Sequence, residues 1–170
     1  MGLLGTELVG IEDPKGVDRK KLIVWVEIDR CLTDALSVVT GARLGRRSLK
    51  YLDYGKVAAT FLNKESGRAV RILALDESRL SADRLYPSIE SRKERQMSFY
   101  KEATIDDLFK IERVSVTLNQ LDRPGHTRVR VTCQRCGEGV NNGREVVFEG
   151  GASLCKPCAQ GTDYYQRLSE

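Results

Sequence analysis

The spacing of apolar positions changes several times along the chain, and each change marks an element. Leu3, Leu4, Leu8 and Val9 recur at near-helical intervals and stop at Gly10, which predicts the closing turns of a helix. Glu12 to Lys20 carries Asp-Pro and Lys-Gly pairs and reads as a loop. Lys21 to Ile28 contains Leu-Ile-Val-Trp-Val, apolar on both alternating faces, so a central strand covered on both sides is expected. Asp29 is then placed to cap a helix with apolar positions Leu32, Ala35, Leu36 and Val39, ended by Gly41.

After a basic loop (Arg43, Gly45, Arg46, Arg47), two strands follow, Lys56 to Asn63 and Arg68 to Leu75, joined as a hairpin by Lys64-Glu-Ser-Gly67. From Asp76 to Glu102 charge rises, and Ile89, Met97 and Tyr100 leave one narrow apolar stripe, which predicts a solvated helix against an edge or a second copy of the chain. Thr104 and Asp107 have the spacing of a helix-capping arrangement through Phe109, and Ile111 to Leu118 alternates as a strand. Asp122-Arg-Pro-Gly125 is a turn and the expected boundary between a first domain, 1–121, and a second, 122–170. In the second, Arg128 to Thr132 reads as a strand, Glu145 to Glu149 and Gly151 to Leu154 as a hairpin, and Lys156 to Leu168 as a closing helix.

The second domain also carries the most specific chemistry. Cys133-Gln-Arg-Cys136 is answered by Cys155-Lys-Pro-Cys158 with eighteen residues between the pairs, a spacing that suits a four-thiolate zinc site. Disulfides or cysteines merely packed in a core are the alternatives. Both lose weight beside the polar neighbours Gln134, Arg135, Glu138 and Lys156 and without a secretory signal. Four thiolates leave no open position, so the expected Zn²⁺ is structural, and the order knuckle, hairpin, knuckle, helix is that of a treble-clef or ribbon finger.

Composition narrows the class only a little. Among 170 residues, 41 % are hydrophobic and 31 % charged, no stretch approaches a membrane span, and the net charge of +4 does not compel a nucleic-acid partner. Five cysteines point to a reducing cytoplasm. Arg128, Arg130, Arg135 and Arg144 near the finger keep a nucleic-acid- or polymerase-binding regulator as the alternative function.

The fifth cysteine, Cys31, is expected in the first turn of its helix, where free N–H groups favour a thiolate, with Asp34 on the same face. Tyr54, Gly55 and Lys56 begin the next strand and could close over that end. A thiol or metal ligand beside a carboxylate and an ammonium is one reading. A small buried residue at a helix start is the other, and the absence of a nearby histidine favours it. His126, in a turn seven residues before Cys133, is either a spare zinc ligand or a surface residue, and the surface residue is favoured.

Val26-Glu-Ile-Asp-Arg-Cys31-Leu-Thr-Asp34-Ala35, Val39-Thr40-Gly41, Gly45-Arg46, Asp53-Tyr54-Gly55-Lys56-Val57-Ala58-Ala59-Thr60-Phe61 and Gly67-Arg68-Ala69-Val70-Arg71 resemble the FmdE family of formylmethanofuran dehydrogenase proteins. The paired cysteines resemble the DksA/TraR-type zinc finger that many members carry. The resemblance implies an α+β fold with helices on a mixed or antiparallel sheet like the catalytic domain of glyceraldehyde-3-phosphate dehydrogenase, and a homodimer. It also implies an accessory rather than catalytic role in one-carbon metabolism and methanogenesis, beside the subunits of a molybdenum or tungsten oxidoreductase.

By the same resemblance, Cys31, Asp34 and Lys56 border a ligand or second-metal pocket. The family's His-x-His-x-Cys-Pro-Gly segment is missing before Met1 to Val9, and Gly41-Ala42-Arg43 stands in place of Gly-Cys-Thr. Retention of Cys31, Asp34 and Lys56 favours a truncated start over a decayed pocket.

Overall fold

Strand β1 (Leu22–Val26), apolar on both faces, lies inside the sheet with a strand on either side. On one side it pairs in parallel with β2 (Leu49–Tyr51); on the other it is antiparallel to β3 (Ala58–Asn63). β3 turns through Lys64–Gly67 into β4 (Ala69–Ala74), which pairs with β5 (Phe109–Arg113) at the far edge. The five-stranded order β2-β1-β3-β4-β5 is therefore a mixed sheet. The computed structural model describes residues 1–166 and Leu168 and divides into two units, Met1–Thr117 and Leu118–Glu170.

Register decides which side chains meet. Val24, Phe61 and Val70 share one face with Leu22, Val26, Ala59 and Ile72, and that face forms the core with Val9, Ile11 and Leu36. The other face carries buried Ile23, Ala58 and Leu62, then Trp25, Thr60 and Arg71 in one row.

Helix α1 (Gly2–Leu8) forms where expected and ends with Gly10 at φ 70°; Leu4 and Val9 of the expected stripe pack on the core, joined there by small residues. Gly2, Gly5 and Thr6 face inward while Leu3 is 73 % exposed. The small residues let the helix backbone approach the sheet: a Cβ on Gly5 would sit 2.5 Å from the Phe61 ring.

Helix α2 (Cys31–Thr40) closes on Gly41 at φ 70° and buries Leu36 and Thr40. Its cap is Arg30 with no side-chain bond, so Asp29 lies one residue outside the position that could cap it. The sequence pattern missed β2, which has only three residues and too little length to show a period.

The single helix expected between Asp76 and Glu102 is two, α3 (Glu77–Leu85) and α4 (Arg92–Glu102), separated by a turn containing Pro87. Their buried residues are Ser78, Ala82 and Phe99, whereas Met97 and Tyr100 are exposed. Arg95 donates to Asp83 Oδ1 at 2.9 Å and to the Ile89 carbonyl at 2.8 Å, which pins the turn to α4. Helix α5 (Ile105–Leu108) has the full reciprocal capping box of Thr104 and Asp107 and leads into β5, which stops at Arg113, five residues short of the expected strand end at Leu118.

In the second unit, β6 (Arg130–Thr132) pairs with β7 (Gly139–Asn141), and β8 (Val146–Val147) with β9 (Ser153–Leu154). Helix α6 (Lys156–Gln160) stops at Gly161 with φ 70°; the expected continuation to Leu168 is absent through Gln166, and Arg167 lies outside the described residues. Among the described residues no helix is long and apolar enough to cross a membrane.

Candidate metal centre and the Cys31 corner

Two local devices aim four sulfurs at one point. Cys133 and Cys136 occupy the turn between β6 and β7, where Gly137, at φ 76°, lets its N–H return to the Cys133 carbonyl at 2.9 Å. Cys155 is the cap of α6 and Cys158 lies in its first turn, with Pro157 between them, set for a helix start. The Gln134 N–H donates to the Ser153 carbonyl at 3.0 Å and ties the two pairs together.

All four sulfurs lie within 4.8 Å of one another, and Cys136 Sγ is 3.8 Å from Cys155 Sγ. A tetrahedron of thiolates at about 2.3 Å from zinc has edges of about 3.8 Å, so the cage has the size of the ion. A disulfide would need about 2.05 Å, and all five cysteines are free in this structure.

Electrostatics make the same demand. Backbone N–H groups of Cys136 and Cys155 hold the Cys133 thiol at about 6, whereas the neighbouring sulfur of Cys155, followed by burial, pushes Cys158 up to about 12. Four thiolates this close repel one another, and a bound dication is the charge that lets them coexist. Among the described residues these cysteines are the one cluster of potential metal ligands; exposed His126 takes no part.

The Cys31 corner is more open. β1 and β2 run parallel and α2 connects them, so Cys31 at the start of α2 and the loop after β2 lie at the same carboxyl end of the strand pair. This is where ligands bind in α/β units. The Leu52 N–H donates to the Val26 carbonyl at 2.9 Å and the Lys56 N–H to the Glu27 carbonyl at 3.0 Å, lacing the two segments together.

Cys31, Asp34 and Lys56 are all exposed, so the alternative of a small buried Cys31 is not what the fold shows. No hydrogen bond or ion pair joins the three among the described residues. Tyr54, Gly55 and Lys56 are loop rather than the start of a strand, with Lys56 Nζ 5.9 Å above the Tyr54 ring. Tyr51 donates to Asp53 Oδ1 at 2.8 Å, and that bond, with burial and nearby Asp29, pushes the phenol up to about 12.

A group that the sequence did not reveal adjoins this corner. Glu27, one residue past β1, accepts from Arg71 Nε at 2.6 Å and Nη2 at 2.7 Å, and Arg71 Nη1 reaches Glu112 Oε2 at 3.3 Å. The Arg71 guanidinium holds the Glu27 carboxyl below its ordinary range, with Lys56 adding a weaker pull. The three residues come from separate strands or strand ends, and only the register places Arg71 opposite Glu112.

A mixed α+β domain followed by a four-cysteine finger is the class these features define. Residues 1–122 match the profile of the family described as FmdE, Molybdenum formylmethanofuran dehydrogenase operon, and residues 127–164 match the prokaryotic dksA/traR C4-type zinc finger. The chain belongs to the FmdE family.

A crystal structure of a tungsten formylmethanofuran dehydrogenase FmdE-like protein from Syntrophus aciditrophicus shares the fold, with TM-score 0.55, 22 % identity and coverage of 89 % of this chain and 77 % of that one. A protein of Archaeoglobus fulgidus described as "Probable S-adenosyl-L-methionine-binding protein" is 37 % identical over 73 residues, 42 % of this chain. The match spans 20 % of that relative's own length.

Proposed function

We propose that the chain is a cytoplasmic, zinc-binding accessory protein of the FmdE family that works beside a molybdenum or tungsten oxidoreductase of one-carbon metabolism, as a homodimer. The observation that carries this reading is the family match over residues 1–122 joined to a finger whose sulfurs fit a tetrahedral ion. Cys133, Cys136, Cys155 and Cys158 would hold the zinc, and its role is to tie the two knuckles into one folded module. The ligand pocket of the body is read at Cys31, Asp34 and Lys56.

Affinity capture of the tagged protein from its native host tests the association. Co-purification of oxidoreductase subunits with a pterin-bound metal is expected; recovery of neither counts against it. Metal analysis separates the two sites. One zinc per chain is expected in wild type and in Cys31→Ala, and none in Cys136→Ala. Loss of a second equivalent in Cys31→Ala would instead make Cys31 a ligand.

The structure offers less to a nucleic-acid-binding reading. Arg135 Nη1 donates to the Cys158 carbonyl at 2.9 Å, and Arg144 donates to the Asn142 carbonyl at 3.0 Å and to Asp122 at 2.9 Å, so these two arginines build the finger. All four arginines, Arg128, Arg130, Arg135 and Arg144, are exposed, but half of them are already engaged within the finger, which leaves Arg128 and Arg130 as the less committed charges.

A further inference from the structure

The outer edge of the sheet carries a pattern that fits itself. The N–H of Leu75 donates to the Leu108 carbonyl at 2.9 Å, and that of Val114 to the Ala69 carbonyl at 3.1 Å. By antiparallel alternation, Leu108, Lys110, Glu112 and Val114 turn their backbone groups toward β4, while Ile111 and Arg113 turn theirs away. Phe109 gives its N–H to the Ile105 carbonyl, and by the same alternation its own carbonyl turns away from β4. Ile111 sits opposite fully buried Ile72 yet is itself 37 % exposed, so the cover over the core face thins at this strand.

We propose that this edge is the contact between two copies of the chain, β5 against β5, antiparallel and centred on Ile111; the inference rests on the homodimer reading above and supplies its surface. In that register Ile111 and the partner's Ile111 exchange two backbone hydrogen bonds, and each Arg113 N–H meets the Phe109 carbonyl of the other copy. The two isoleucines cover each other on the core side. On the opposite side, Lys110 faces the partner's Glu112 and Glu112 faces the partner's Lys110, a cross-strand pairing of opposite charges.

Charge also selects the register. Sliding the partner by one hydrogen-bonding step either way sets Lys110 against the partner's Lys110, or Glu112 against the partner's Glu112. Edge strands are often guarded by charges that repel any second strand. Here the signs alternate about the centre, so they admit one copy in one register and penalise the others. Lys110, with its side chain 60 % exposed and paired with Glu112 at 2.8 Å, can turn to the partner at little cost.

Sedimentation velocity on the full zinc-loaded chain tests the contact. Wild type should sediment as a dimer. Ile111→Pro removes an N–H that points away from β4, so the sheet keeps its ladder while the dimer loses its central bonds, and the variant should be monomeric with an unchanged circular-dichroism spectrum. Lys110→Glu, which leaves like charges in every register, should weaken dimerisation by about tenfold or more and carries the test alone if the proline variant fails to fold. Lys93→Glu on exposed α4 should leave the dimer intact. A monomeric wild type would overturn both this contact and the homodimer reading. A wild-type dimer that persists in both β5 variants would overturn the β5 contact and leave the dimer standing on another surface.

Discussion

Glu27 shows how one residue can join stability to the geometry of a site. Its side chain is 7 % exposed and its charge is balanced by bidentate Arg71, so removing the charge leaves a half-buried guanidinium short of a partner. Glu27→Gln should cost about 2 kcal/mol at neutral pH, read from the urea midpoint. The sign with pH follows from the lowered carboxyl: the contribution is full above the ordinary value of 4.5 and disappears as pH falls through the lower folded value. Wild type and variant should therefore converge in acid; a gap that stayed constant would show that Arg71 is not the cause. Gly5 has the opposite character, since its importance lies in what it lacks. Alanine usually improves a helix interior by about 1 kcal/mol, but here its Cβ would press on the Phe61 ring at 2.5 Å, and Gly5→Ala should destabilise by about 2 kcal/mol in thermal melts.

Between elements, buried Asn63 connects the end of α1 to the β3–β4 hairpin. Its Nδ2 donates to the Val9 carbonyl at 3.2 Å, and its Oδ1 accepts the Glu65 N–H at 3.1 Å and the Ser66 N–H at 3.3 Å. Asn63→Ala leaves those groups unmatched and should cost about 2 kcal/mol by denaturant titration. Such ties explain which parts of the fold could be read from the chain. Leu22–Val26, Cys31–Thr40 and the β3–β4 pair announced themselves because period, glycine stops and a four-residue turn are local signals. The capping box at Thr104 did so for the same reason. The small inward residues of α1 and the Glu27–Arg71–Glu112 group did not, since close packing and register depend on residues distant in sequence. β2 was too short to show a period, and Pro87 was the overlooked sign that one charged segment is two helices. In the candidate sites, spacing alone grouped the four finger cysteines, whereas Cys31 and Lys56 come to one end of the sheet only through the crossover of α2.

The two units have separate means of support: an apolar core for one, and for the other a cage of thiolates beneath short hairpins. Cys136→Ala should therefore release zinc and unfold the finger while the first unit keeps its melting transition, because metal binding and folding are coupled in such modules. Chelation of wild type should do the same, measured by circular dichroism and by thiol titration; one cooperative loss of both units would contradict the division. The row of side chains on the second face of the sheet gives this experiment a built-in label. Trp25 stands there in β1, between Lys50 and Thr60, and it is the chain's one tryptophan. Light absorbed selectively by that indole is emitted from the first unit alone, so its fluorescence should stay constant while a chelator dismantles the finger and shift to the red only when the sheet itself comes apart. A single unlabelled sample can thus report the two unfolding events in separate channels.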